Sequence, residues 1–228
     1  MSESSGAAYY AAILAGDRLR RCYEVAPPRV KQYLEAELRF LLSNVGPGDD
    51  VLELGCGHGR VAVELARRAR HVIGIDTAPA SLDLARSMAA ARENCEFREM
   101  NAGELTFQDG EFDVVACIQN GICAFRLDPV ALVGEALRVT RAGGLALFSS
   151  YAAVFWPHRL EWFEAQAAAG LVGEIDQELT VEGTVVCKDG LRLGAMGPAE
   201  FREIGRRLGL EPRVVEVDQS SVFAVWRK

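Results

Sequence analysis

The residues most suited to chemistry in this chain fall in one short stretch, Val51-Leu52-Glu53-Leu54-Gly55-Cys56-Gly57-His58-Gly59-Arg60. A carboxylate sits in an apolar run, and three glycines follow at alternate positions. Glycine adopts positive φ and, lacking a Cβ, lets the main chain come close to a ligand. Beyond the turn Val61, Ala62, Leu65, Ala66 and Ala69 recur at helical spacing. The stretch therefore reads as a buried strand, a glycine turn and the start of a helix. In an α/β sheet, ligands bind beyond the carboxyl end of such a strand. An anionic group is stabilised at a helix start by about 0.3–1 kcal/mol.

Two phosphate-binding patterns do not fit. The dinucleotide fingerprint needs glycine at relative positions 1, 3 and 6, and the sixth position counted from Gly55 is Arg60. No Gly-Lys-Ser/Thr follows, so the phosphate loop fails as well. The stretch resembles motif I of the class I S-adenosylmethionine-dependent methyltransferases, acidic-x-Gly-x-Gly-x-Gly, with Glu53, Gly55, Gly57 and Gly59 in register. That family carries a second acid at the end of the next strand. The run His71-Val72-Ile73-Gly74-Ile75-Asp76 ends in Asp76, 23 residues after Glu53. Gly110 to Ile118 contains Phe112-Asp113-Val114-Val115, similar to the family's Phe-Asp-x-Val signature.

The resemblance implies S-adenosylmethionine as cofactor and assigns roles position by position. Gly55, Cys56 and Gly57, with Gly59, let the chain pass close to the methionine and adenosine parts. Glu53 braces the turn or takes the methionine amino group. Asp76, with Thr77 beside it, accepts from the ribose hydroxyls, two carboxylate oxygens for two donors. Asn101 and the Ala102 backbone meet the adenine. Gln119 and Asn120, after the fourth strand, lie near the methionine portion.

The surrounding elements must hold these residues. Ala7 to Leu14 has helical character, and Gly16-Asp17 reads as its break. Arg18 to Val25 carries no clear pattern. Val30, Tyr33, Leu34, Leu38, Leu41 and Leu42 form an apolar helical stripe, stopped at Val45-Gly46-Pro47-Gly48. A helix is expected over 58–68, and another from Pro79 with Leu82, Ala85, Met88 and Ala89 buried. Cys95 to Met100 reads as the third strand, Asp128-Pro129 as a helix start, and Leu145 to Ser149 as the fifth strand. A helix is expected over 157–169, then short strands at 179–187 and 191–195 around the Asp189-Gly190 hairpin signal. A helix over 198–208 and two sequential antiparallel strands close the chain. The fold class expected is α/β: a seven-stranded, mostly parallel, doubly wound sheet with an antiparallel strand near its edge, an N-terminal helical lid and a small helix/hairpin insert. The divisions are 1–45 as cap, 46–150 with 198–228 as cofactor-binding core, and 151–197 as substrate-side insert.

Composition narrows the partners. Half of the 228 residues are hydrophobic, a quarter are charged, and the formal net charge is −7. The densest basic run, Arg67-Arg68-Ala69-Arg70, falls at a helix end, so nucleic acid is not an expected partner. The longest uncharged stretch, 142–157, is too short to span a membrane. The six cysteines contain no Cys-x-x-Cys pair, and no metal site is expected. A soluble, reduced, cytoplasmic protein is the expectation, with homodimer formation left open.

The reaction implied is in-line transfer of the sulfonium methyl to a nucleophile on a small-molecule acceptor, where positioning alone contributes about 7–11 kcal/mol. Tyr9, Tyr10, Tyr23, Tyr151 and Trp156 are candidate acceptor contacts, because they fall in the lid and insert. His158 is the candidate base, since imidazole titrates near neutrality. Arg60 either meets a carboxylate at the pocket rim or pairs with an acid on its own helix. Alternatives are a non-methylating use of the same cofactor (alkyl transfer or cyclisation), a non-catalytic cofactor-binding module, or a nicotinamide oxidoreductase. No Asn/Asp-Pro-Pro-Tyr/Phe run follows the fourth strand, which argues against methylation of base or glutamine amino groups.

Overall fold

The apolar runs become the middle of one sheet buried on both faces. The computed structural model describes residues 9–10 and 13–228. Its strands are β1 (Asp50–Leu54), β2 (His71–Asp76), β3 (Cys95–Glu99), β4 (Phe112–Cys117), β5 (Thr140–Tyr151), β6 (Val185–Val186), β7 (Arg192–Leu193), β8 (Arg213–Val217) and β9 (Ser221–Arg227). Seven of them form a sheet in the order β3-β2-β1-β4-β5-β9-β8. The first five strands are parallel, and β9 lies antiparallel between β5 and β8. This is the expected doubly wound α/β class.

Side chains alternate across a strand, and here both alternations are apolar. Val51, Val72, Val114 and Leu147 face one core, with Leu41, Val61, Leu65, Leu82 and Ala85. Those residues come from helices α2 (Pro28–Ser43), α3 (Arg60–Leu65) and α4 (Pro79–Met88). Leu52, Ile73, Val115 and Phe148 face the other core, against Leu132, Val133, Phe201 and Ile204. After the short α5 (Gly121–Ala124), that second layer is α6 (Pro129–Val139) and α8 (Pro198–Leu208). Covering both faces is why the strands read as continuous hydrophobic runs.

Two further apolar clusters join the N-terminal segment to residues 151–193. One contains Leu14, Cys22, Phe163, Leu171, Val185 and Leu193. The other contains Ala26, Val30, Tyr33, Tyr151, Phe155 and Trp162. Helix α1 (Gly16–Glu24) contributes Cys22, α2 contributes Val30 and Tyr33, and α7 (Trp156–Ala168) contributes Trp162 and Phe163; the Trp162 indole N–H donates to the Cys22 carbonyl at 2.8 Å. The two flanking segments thus share a core of their own.

Several local expectations change. Gly16 and Asp17, expected as a helix break, are the first residues of α1, which follows a turn at 13–15. Gly16 is where α1 meets α4: its N–H donates to Ser81 Oγ at 2.9 Å, and a Cβ there would lie 3.1 Å from the Ala80 carbonyl oxygen. The helix expected over 58–68 is shorter, Arg60–Leu65. Met88 is 44% exposed and leaves the α4 stripe. β5 begins at Thr140 and runs through Gly143-Gly144. The strand expected over 179–187 shrinks to Val185–Val186, paired with β7. Half of the helix expected over 7–14, and the whole N-terminal hexapeptide, lie outside the described residues.

Candidate functional site

A cavity opens where β1, β2 and β4 end, beneath α1 and α7. Of the residues expected to bind cofactor, Glu53, Gly55, Cys56, Gly57, Asp76, Thr77, Asn101, Ala102 and Gln119 line it. Local sequence explains the convergence. β1 runs into Gly55 at φ +71°, Gly57 at +53° and Gly59 at +85°, a path that L side chains resist. The three glycines differ in what they permit. A Cβ on Gly57 would meet only the side-chain end of Leu19, its Cδ2 at 3.0 Å, so this backbone faces one movable side chain and no other main chain. A Cβ on Gly59 would lie 2.9 Å from Ala85 Cβ and 3.1 Å from Phe97. Gly59 therefore serves α3–α4 packing, and it does not line the cavity.

Asp76 is held by the turn it faces. The Gly57 N–H donates to Oδ2 and the Ala78 N–H to Oδ1, each at 2.9 Å. Burial raises its pKa, and these amides act against that. Each carboxylate oxygen keeps a second lone pair for a hydroxyl donor. Asn101 Oδ1 accepts from the Gly103 N–H at 2.9 Å, which fixes the loop after β3. Met100, Ile118 and Leu127 add apolar wall here.

Glu53 is 4% exposed, and its Oε2 has no hydrogen-bond partner. Burial pushes its carboxyl up to about 8, against the pull of the Arg60 guanidinium. Gln119 has φ +55° and Asn120 +63°, a strained pair of the kind that clusters at functional sites. The Gln119 N–H donates to Ser149 Oγ at 2.9 Å, and Tyr23 Oη donates to Gln119 Oε1 at 2.7 Å. Gln119 Nε2 is buried without a partner.

Asn120 is the exception among the expected cofactor contacts. It is buried outside the cavity, donating to the Gly194 carbonyl at 2.9 Å and accepting from Ser150 Oγ at 2.6 Å. Both ends of its amide are taken by the protein, so it acts as a latch between β5 and the residue after β7.

Of the acceptor candidates, Tyr10, Tyr23 and Tyr151 line the cavity. Burial raises the pKa of all three, that of Tyr151 to about 12, so they are neutral phenols at physiological pH. Tyr9 lies outside the lining, its hydroxyl 2.6 Å from Asp189 Oδ2. Trp156 also lies outside, packed by the Arg159 guanidinium 5.9 Å from its ring. His158 does not reach the cavity: its side chain is 43% exposed and its Nδ1 lies 3.6 Å from Glu161. At the start of a helix it turns outward while Arg159 turns in. Sequence reasoning missed Cys22, Trp162, Phe163, Gln166 and Leu193, which also line the cavity, as do Leu14, Leu19 and Phe125. The Trp162, Phe163 and Gln166 spacing on one helix face was a usable signal. Cys22 and Leu193 enter only through tertiary packing.

Comparison with known proteins agrees with this geometry. A family described as a methyltransferase domain matches residues 51–144. The ubiquinone biosynthesis O-methyltransferase of Acinetobacter baylyi is 34% identical over 106 residues, which is 45% of this chain and 44% of that protein. The chain thus matches less than half the length of the curated relatives of this kind. Two solved structures superpose on nearly the whole chain. The PH0226 protein of Pyrococcus horikoshii has a TM-score of 0.67 at 23% identity, covering 96% of this chain and 97% of its own. DhpI, crystallised as a DhpI-SAM-HEP complex, has a TM-score of 0.65 at 23% identity, covering 98% and 96%. At these identities the structures speak for the fold.

Proposed function

We propose, because this chain belongs to the class I S-adenosylmethionine-dependent methyltransferase family, that it transfers a methyl group to an oxygen nucleophile on a small aromatic acceptor by in-line displacement. The observation that carries this reading is the single cavity wall formed by Glu53, Gly57, Asp76, Asn101 and Gln119. The family's cofactor is S-adenosylmethionine, and the residues present fit it. The Gly57 backbone, faced by one movable side chain, leaves room for a nucleoside, and the Asp76 carboxylate is pre-set to accept from ribose hydroxyls. Glu53 offers an unpartnered buried oxygen to an ammonium. Bound there, the cofactor supplies a methyl carbon already activated by its sulfonium.

The chain's own residues supply binding, alignment and dryness. Asp76 and the glycine turn orient the sugar. Gln119, held by Ser149 and Tyr23, fixes the floor where β4 ends. Helices α1 and α7 cover that floor and keep water out. The acceptor half carries Tyr10, Tyr23, Tyr151, Trp162 and Phe163, a wall suited to a planar ring. An oxygen acceptor is supported by the O-methyltransferase named among the relatives.

Isothermal titration with S-adenosylhomocysteine is expected to give saturable one-to-one binding, and tritiated cofactor should label phenolic acceptors. Saturable NAD binding without binding of either sulfur nucleoside would overturn the reading.

A further inference from the structure

An acceptor hydroxyl must lose its proton as it takes a methyl group, and α1 and α7 cover the cavity where it does so. His158, the expected base, is exposed beside Glu161. His58 lines the cavity, but burial and the Arg60 charge lower its pKa to about 4, so its ring holds a proton only weakly at neutral pH. Glu53 and Asp76 stand at the ends of β1 and β2, where the cofactor reading uses them. A further carboxyl, Glu37 on α2, lies behind the wall. It is fully buried, and neither of its oxygens has a hydrogen-bond partner among the described residues.

Hydroxyls join Glu37 to the cavity. Tyr33 stands one turn before it on the same face of α2, is also fully buried, and its hydroxyl likewise has no hydrogen-bond partner among the described residues. The two polar ends are neighbours, since each acts on the other's titration. On its far side the Tyr33 ring lies 5.3 Å from the Tyr151 ring, centroid to centroid, and the Tyr33 hydroxyl acts on that of Tyr151. Tyr151 lines the cavity with Tyr10, Tyr23, Trp162 and Phe163. The order carboxyl, hydroxyl, hydroxyl, cavity thus runs from α2 through β5 to the acceptor half. A phenol donates and accepts at one oxygen, so each can take one proton while giving up another and never become an anion. Burial raises the Tyr151 pKa, and the Arg159 guanidinium, 4.5 Å from its ring centroid, acts against that. The other groups facing Glu37 are Ser149 on β5, Cys117 and the Gln119 amide at the end of β4, and Arg60 on α3. Burial keeps the Cys117 thiol neutral, and Arg60 and the hydroxyls favour the carboxylate.

We propose that Glu37 receives the acceptor's proton through Tyr151 and Tyr33, so that α2 and β5 hold a built-in proton path out of the covered cavity. The inference rests on the oxygen-acceptor reading above and adds a path to it. In the step, the acceptor oxygen bonds to the methyl carbon as the carbon–sulfur bond breaks and its electron pair stays on sulfur. The acceptor proton moves to Tyr151 Oη, the Tyr151 proton to Tyr33 Oη, and the Tyr33 proton to the Glu37 carboxylate. One positive charge on sulfur and one negative charge on Glu37 disappear together, so the buried site ends neutral. Once the product leaves, the proton returns along the same hydroxyls. Only an ionised Glu37 can receive it, and burial raises the Glu37 pKa to about 7, which leaves a large ionised fraction at neutral pH.

The test uses the full chain with two phenolic acceptors. Catechol brings a proton to be passed on, and 4-nitrocatechol is already ionised at pH 8. Wild-type kcat/KM for catechol should rise with pH along a limb centred near the Glu37 value of about 7. In Glu37→Gln, and in Tyr33→Phe, which removes only the middle oxygen, the limb should vanish and kcat/KM for catechol should fall about 100-fold. The double variant should lose no more than either single one, as members of one path do. 4-Nitrocatechol at pH 8 should rescue the variants to within about threefold of the wild type, because no proton then needs the path. Calorimetry should give S-adenosylhomocysteine dissociation constants within about twofold of the wild type, which certifies the fold; should Glu37→Gln lose that binding, Tyr33→Phe decides the question by itself. Equal losses on both acceptors with the limb unchanged would make the pair packing residues and overturn the proposal. A limb that survives in the folded variants would place the base elsewhere and overturn it too. A wild type that methylates neither phenol would instead sink the oxygen-acceptor reading, and this proposal with it.

Discussion

Replacing Glu53 by glutamine isolates the cost of a buried carboxyl on the cavity wall. Burial raises the Glu53 pKa from 4.5 to about 8, while the unfolded chain ionises near the ordinary value. Between those two values the folded protein holds a proton that the unfolded chain has released. Stability therefore falls as pH rises through this window, by about 1.4 kcal/mol per pH unit, and levels off above about 8. From pH 5.5 to pH 8 the loss attributable to Glu53 is up to about 3 kcal/mol. Glutamine mimics the protonated form at every pH, so Glu53→Gln removes this slope. Glu37, fully buried on α2 and raised by burial to about 7, contributes the same trend to both proteins and cancels in the difference. Urea unfolding of the ligand-free proteins at half-unit intervals gives the two curves. The variant should match the wild type only below about pH 4.5, and its advantage should grow by up to about 3 kcal/mol between pH 5.5 and pH 8. A stability difference that stays constant across this range would refute the assignment of a protonated, buried Glu53. Ligand binding should run the other way: S-adenosylhomocysteine affinity of the wild type rises toward pH 8, as the carboxylate that meets the ammonium ionises, and Glu53→Gln stays weak throughout.

Three other substitutions separate the parts of the site. Asp76→Ala should raise the S-adenosylhomocysteine dissociation constant about 10–100-fold, corresponding to about 1.5–3 kcal/mol of lost charged hydrogen bonding, and calorimetry that shows no change would remove Asp76 from the ribose site. Gly59→Ala, at φ +85° with its new Cβ 2.9 Å from Ala85 Cβ, should cost about 1–3 kcal/mol of stability, while Gly57→Ala should lose nucleoside affinity as well; urea melts beside calorimetry distinguish packing from cradle. His158→Ala should leave kcat/KM within about twofold, since the imidazole is exposed on α7, and a large drop would restore it as a base.

The part of the cavity wall built at the ends of β1 and β2 is legible in the sequence because its information is local. Strand, turn and acid lie within 24 consecutive residues, Glu53 to Asp76, and parallel pairing of β1 with β2 leaves little freedom in where Asp76 ends up. The sequence places the start of the fifth strand at Leu145, yet β5 begins at Thr140 and runs through Gly143-Gly144. A Cβ on Gly144 would lie 2.6 Å from the Asp113 carbonyl oxygen, so this glycine permits the neighbouring strand to approach. The acceptor half was not legible residue by residue. Its aromatic residues come from the segment before α1 (Tyr10), from α1, β5 and α7, and whether a tyrosine faces the cavity or a neighbour depends on packing between segments more than 100 positions apart. Tyr9 and Tyr10 are adjacent in sequence, yet only Tyr10 reaches the cavity, because the Tyr9 hydroxyl is taken by Asp189.

Asn120 sharpens the same point. Its position after β4 matched a cofactor contact, but its amide joins Ser150 on β5 to Gly194 beyond β7. Gln119, next to it, points into the cavity and is tied to Ser149 and Tyr23. Two consecutive residues in the left-handed region are costly for non-glycine side chains, and here each is secured by a serine of the neighbouring strand. The main chain at the end of β4 thereby sends one amide toward the ligand and the next toward the hairpin that walls the acceptor half. Gln119 on the cavity wall and Asn120 at the hairpin are thus joined by a single peptide unit.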